Sequence, residues 1–144
     1  MIAIREINEF NQNDLNKINQ FIPMLSQSAS LLTPDHFAEI VKSSATHLYV
    51  AEEHNLLMGM LSLVVFPIPT GSRAWIEDVV VDEKARGKGI GRLLTLHALE
   101  ESKKLDVVSV DLTSRPSRVA ANHLYQSVGF EKRDTNIYRF KHAS

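Results

Sequence analysis

Apolar and polar positions alternate at the start of the chain, with Ile2 and Ile4, then Ile7, among polar residues. This period of two predicts a short strand over residues 1–7. From Leu15 the period lengthens: Leu15, Ile18, Phe21, Ile22 and Leu25 recur every three or four residues, as on an amphipathic helix that Asn11 or Asn13 can cap. Pro23 inside that stripe predicts a kink or a division. Thr33-Pro34-Asp35 starts a second helix, with the threonine as cap and the proline in the first turn, carrying Phe37, Ile40 and Val41.

Residues 46–53 and 56–66 then read as two strands joined by a turn at His54-Asn55, with Gly59 marking a bulge. Pro67, Pro69 and Gly71 predict a loop before a strand over 73–81. A helix over 90–104, with Leu93, Leu94, Ala98 and Leu99 as its apolar face, leads to a buried strand over 107–112. The last helix opens at Pro116-Ser117, buries Ala120 or Ala121, Leu124 and Val128, and ends at Gly129; residues 135–140 supply a closing strand. No repeat, low-complexity tract or linker interrupts this order, and a single domain over 1–144 is expected.

Composition changes the picture by exclusion. A net charge of -1 gives no global attraction to nucleic acid or an acidic membrane, so neither is expected as a partner. With no cysteine, a covalent relay through a cysteine, disulfides and thiolate metal sites are all excluded. The histidines are scattered without ligand spacing, and no metal is assigned. No apolar run approaches the roughly 18 residues of a membrane helix, and the start lacks a leader pattern, so a soluble cytoplasmic protein is expected.

The candidate chemistry begins where the valine strand breaks into glycines, at Val79-Val80-Val81-Asp82-Glu83-Lys84-Ala85-Arg86-Gly87-Lys88-Gly89-Ile90-Gly91-Arg92. Glycines lack the Cβ atoms that would hold a ligand off the backbone, and the following helix points its free donors and dipole at the same place. Arg86, Lys88 and Arg92 add charge, so a phosphate-bearing ligand is the natural partner. Gly91-Arg92-Leu93 lacks the Gly-Lys-Ser/Thr of a Walker loop, and Leu94 stands where a dinucleotide fingerprint would need a further glycine.

Arg86-Gly87-Lys88-Gly89-Ile90-Gly91, preceded by Glu77-x-Val79-x-Val81, resembles the Arg/Gln-x-x-Gly-x-Gly/Ala loop of the GCN5-related N-acetyltransferases. Ala121-Asn122-His123-Leu124-Tyr125-Gln126-Ser127-Val128-Gly129-Phe130 resembles that family's Ala-x-x-Leu-Tyr-x-x-x-Gly-Phe segment, and the resemblance spans residues 73–130. Glu83 departs from the proline often found after Val-Asp in the loop. The resemblance implies an α/β (α+β) fold, a mixed, mostly antiparallel central sheet flanked by helices and splayed at the acyl-CoA site. It also implies acetyl-CoA as acyl donor, its pyrophosphate on residues 86–92, its arm along Val79 and Val81, Asn122 at the pantetheine and Tyr125 near the sulfur.

An amine acceptor with a pKa of roughly 10.4 must lose a proton before it attacks a thioester. Strand alternation sets Glu77 on the face of Val79 and Val81, which makes it the candidate base; pairing with Arg73 is its structural alternative, and Asp78 points the other way. The Val79 N–H is the candidate donor to the thioester oxygen, and Tyr125 the candidate acid at the sulfur. The function expected is N-acetyl transfer to a primary amine, small-molecule or peptide, in a ternary complex. The rival is a catalytically silent acyl-CoA sensor. The acceptor's identity and a homodimer stay open.

Overall fold

The computed structural model describes residues 1–143, which fall into two compact units, Met1–Thr113 and the residues from Ser114 onward. The first holds a five-stranded sheet in the order β1 (Ala3–Glu6), β2 (Thr46–Glu53), β3 (Leu56–Ile68), β4 (Gly71–Val81) and β5 (Val110–Asp111). The first four strands pair antiparallel and β5 runs parallel to β4, as the mixed, mostly antiparallel expectation required. Arg5 ties β1 to its neighbours through hydrogen bonds to Asp14 and Glu52, and those carboxylates raise its pKa above the usual arginine value.

Register assigns the two faces of the sheet. Leu48, Val50, Met60 and Val80 lie on one and join Leu15, Ile18, Phe21 and Phe37 in a common core beneath α1 (Gln12–Leu25) and α2 (Pro34–Lys42). Tyr49, Ala51, Gly59 and Leu61 lie on the other, against α3 (Ile90–Lys104). Gly59 is what lets that helix approach: a Cβ there would sit 2.8 Å from the Val80 carbonyl oxygen and 3.2 Å from Ile90 Cγ2. The extra residue in β3 is its neighbour Met58, since Ala51 pairs with Gly59 and Glu52 with Leu57.

The starts of α1 and α2 follow their capping residues, Asn11 accepting from the Asp14 N–H and Thr33 from that of His36. Pro23 does not divide α1. It lies in the last turn, where it denies the Asn19 carbonyl one bond with no further turns to disturb, and the Ser26 N–H closes the helix on Ile22. The buried stripe of α3 is Ile90, Leu94, Thr95, Ala98 and Ser102, while Leu93 is exposed. Thr95 and Ser102 enter the interior because their hydroxyls donate to the Gly91 and Leu99 carbonyls.

The loop expected from Pro67 to Gly71 is only the two residues Pro69-Thr70, because β3 continues to Ile68. Ser72 accepts from the Val108 N–H on the β5 side, so the Pro67–Ser72 pair is one that needs no hydrogen bond, and the proline costs the ladder nothing.

In the second unit α4 (Val119–Ser127) starts three residues after Pro116 and ends at Gly129 with φ +111°. The Gly129 and Phe130 N–H groups bond the Gln126 and Tyr125 carbonyls, the paired pattern of a Schellman cap. Its buried residue is Tyr125, with Leu124 and Val128 only half-buried. Residues 135–140 form no strand, contrary to expectation. Their alternation is a local pattern, and a strand also needs a partner edge; Ile137, Tyr138 and Phe140 are exposed.

Candidate functional site

The glycine loop opens as expected and is braced from beneath. Asp82 ends β4 by donating its N–H to Met58, and its carboxylate accepts from the Lys84 N–H to start the short 3-10 turn Glu83–Ala85. The same carboxylate pairs with Lys17 of α1 at 2.8 Å, and that hydrogen bond, followed by the one from Lys84, lowers the Asp82 pKa.

Gly89 sits at φ +75° as the cap residue of α3, and no side chain caps the helix. The donors of its first turn, the N–H groups of residues 90–92, therefore face outward. A Cβ built on Gly87 or Gly89 would meet nothing within 4 Å, so the space above both is open. Arg86, Lys88 and Arg92 are exposed around it, whereas Ile90 is buried and can offer a ligand only its backbone. Open glycines, an uncapped helix start and three cations fit an anion such as a pyrophosphate.

The strand that feeds this loop is bulged. Ser62 pairs with Glu77 and Met60 with Val80, so Asp78 and Val79 together oppose Leu61, and Asp78 takes φ +52°. The alternation argument for Glu77 fails here: Glu77 shares its face with Ser62, Met60 and Val80, while Val81 lies on the face of Gly59.

The same bulge reverses the direction of the backbone. Before it, Ser72 and Ala74 spend their groups on Val108 and Ser109, on the β5 side; after it, Asp82 bonds back to Met58 of β3. Val81, and Val79 by alternation, therefore face away from β3. The ladder with β5 has already ended at Trp75–Asp111, so they face the splay between the strands. Without the extra residue they would be consumed by β3.

On the α1 and α2 face lies a cavity of about 410 Å³, within the size range of small-molecule sites. Its walls include Ile18, Leu32, Leu48, Met60, Ser62 and Asp78. Asp78, set aside in the sequence as pointing the wrong way, thus lines a cavity because the bulge turned it. The one local signal was an Asp-Val-Val step in a strand whose partner register was not readable.

In the second unit Tyr125 is 7% exposed, with its ring edge-on to Phe130. Burial raises its pKa, opposed by the charge and hydrogen bond of Arg118, so the phenol keeps its proton at neutral pH. Asn122 donates its amide to the Arg115 carbonyl at 3.0 Å, which leaves its side-chain oxygen for any ligand. Among the described residues, no three His, Cys, Asp or Glu side chains are grouped to hold a metal, and no helix is long and apolar enough to cross a membrane.

A bulged strand opens into a glycine cradle at a helix start, and known proteins resemble the chain across this frame. The profile of the Acetyltransferase (GNAT) family matches residues 14–130, and the chain belongs to that family. A mycothiol acetyltransferase of Renibacterium salmoninarum is 32% identical over 104 residues, 70% of this chain but 31% of the relative. A [ribosomal protein bS18]-alanine N-acetyltransferase of Salmonella typhimurium is 36% identical over 59 residues, 41% of this chain and 40% of the relative. The matched stretch thus spans well under half of either relative. Among solved structures, a putative acetyltransferase from Agrobacterium tumefaciens superposes with a TM-score of 0.85 at 25% identity, covering 96% of this chain and 99% of that one.

Proposed function

We propose that this chain is an acetyl-CoA-dependent N-acetyltransferase that moves the acetyl group to a primary amine by direct transfer in a ternary complex. One observation carries the reading: the β4 bulge turns the Val79 and Val81 backbone toward the splay, six residues before the first of the open glycines at an uncapped helix start. The relatives named above are acetyltransferases, one of them acting on an alanine. The family match draws on both units and supports reading 1–144 as one catalytic domain.

Acetyl-CoA supplies an activated acyl carbon and a thiol leaving group. The backbone of residues 87–92 holds the pyrophosphate, with Arg86, Lys88 and Arg92 adding charge. The Val79 N–H donates to the carbonyl oxygen as it gains charge. Glu77, paired across the sheet with the cavity-lining Ser62, accepts the amine proton, directly or through water, and Tyr125 returns a proton to the sulfur. Asn122 meets the pantetheine arm through its side-chain oxygen. Without a cysteine in the chain, the acyl group passes straight to the amine.

Titration with acetyl-CoA tests the cradle. Gly89→Glu places a carboxylate in open space at a left-handed backbone position, which costs about 1–2 kcal/mol of strain; a melting curve confirms that the variant is folded, and acetyl-CoA affinity falls by about a hundredfold or more. Wild-type affinity in the folded variant overturns the assignment. Tyr125→Phe keeps donor affinity and slows single-turnover transfer by about tenfold, because a thiol with a pKa near 8.5 already leaves well without help. An unchanged rate removes Tyr125 from the chemistry.

A further inference from the structure

The cavity beside the bulge has a composition that discriminates between amines. Its walls are mostly aliphatic, among them Ile18, Leu31 and Met60, and they carry a single carboxylate, Asp78. No lysine or arginine lines it, and its one imidazole, His36, already faces Glu39 at 3.4 Å. Thr33 is committed to capping α2. An anionic group brought here would lie beside Asp78 with no cation to pair with, and a polycation would bury further charges against aliphatic walls.

Asp78 holds a left-handed backbone at φ +52°, which costs a non-glycine residue free energy and persists where the surroundings impose it. Its neighbour in sequence is Val79, whose N–H is the proposed oxyanion donor. A positive nitrogen held by Asp78 therefore waits one residue from the position assigned to the acyl carbon.

We propose that this cavity selects acceptors bearing one ammonium group on an apolar skeleton, an alkylamine or arylalkylamine, with Asp78 as the charge partner and the aliphatic walls as the recognition surface. The inference rests on the acetyltransferase reading for the use of the cavity, and it adds the class of substrate. Reaction still requires the bound ammonium to give up its proton before attack; Asp78 orients the nitrogen, and the proton goes to the base, leaving an amide, a free thiol and the protonated base.

Calorimetric titration of the wild-type protein without donor, using hexylammonium, phenylethylammonium, spermidine and glucosamine 6-phosphate, tests the selectivity directly. The two apolar monoamines bind about tenfold or more tightly than the other two, and kcat/KM with acetyl-CoA follows the same order. Asp78→Asn weakens hexylammonium by about tenfold. Leu31→Glu, at a position that is 59% exposed and so tolerant of charge, reverses the preference toward spermidine. Equal or tighter binding of spermidine or the phosphosugar, or no response to Asp78→Asn, overturns the proposal. A separate acetyl-CoA titration tests the acetyltransferase reading: no donor binding overturns that reading, while the order of amine affinities still decides this one.

Discussion

The two faces of the central sheet are built to different tolerances. Against α3 the sheet offers Gly59, and the helix comes so close that a single added carbon would sit 3.2 Å from Ile90 Cγ2, besides striking the Val80 carbonyl of the neighbouring strand. Under α1 and α2 the core is well filled around Phe21 and Phe37, yet it gives way to a cavity of about 410 Å³ next to the β4 bulge. The close face fixes α3, and with it the glycine cradle at the helix start. The looser face leaves room for a second molecule. Both are served by β4, whose bulge sends a carboxylate to one side and backbone groups to its edge.

The largest effect that sharpens this contrast is chemical. Glu77→Gln lowers turnover by about 10²-fold, most at the low-pH end where the acceptor is hardest to deprotonate, with donor affinity unchanged. A parallel pH profile at full amplitude removes Glu77 as the base, and a melting curve separates that result from loss of a structural pairing. Next is the close face itself: Gly59→Val destabilises the fold by about 2–3 kcal/mol, since the clash is with backbone as well as with Ile90 and Leu94. A variant that melts like the wild type would show that α3 can back away, and the contrast between the faces would be lost.

The smallest effect concerns the brace between them. Lys17→Met removes the Asp82 ion pair and a cation over the Phe21 ring, a loss of about 1 kcal/mol or less for a pair this exposed. Asp82 has its pKa depressed in the folded protein, so its contribution is present above the unfolded value of about 3.9 and lost as pH falls through the lower folded value. Wild type and variant therefore differ in melting temperature at neutral pH and converge below about pH 4. A difference that persists in acid assigns the effect to the ring contact.

What the sequence disclosed follows from the range of each interaction. Gly89, Thr33 and Gly129 act through backbone angles and neighbours a few residues away, and each stands where the sequence placed it, while Asn11 is the one of its two candidate caps, Asn11 and Asn13, that closes α1. The bulge at Asp78 depends on how β4 registers against Ser62 and Met60, well over ten residues earlier, so strict alternation set Glu77 on the wrong face and hid Asp78. Proline chemistry misled for a related reason, because the cost of Pro67 is set by which side of the ladder its missing donor faces. The expected strand at 135–140 failed because alternation describes a strand's faces and says nothing about its partner.

The missing side-chain cap at Gly89 has a further consequence, in thermodynamic linkage. A helix start without its own cap is completed by whatever anion binds there, and that anion binds the folded chain alone. Stability then becomes a function of ligand activity: at a hundred times the dissociation constant the gain is about 2.7 kcal/mol. A donor held in the cradle would thereby also set what fraction of the chain is folded.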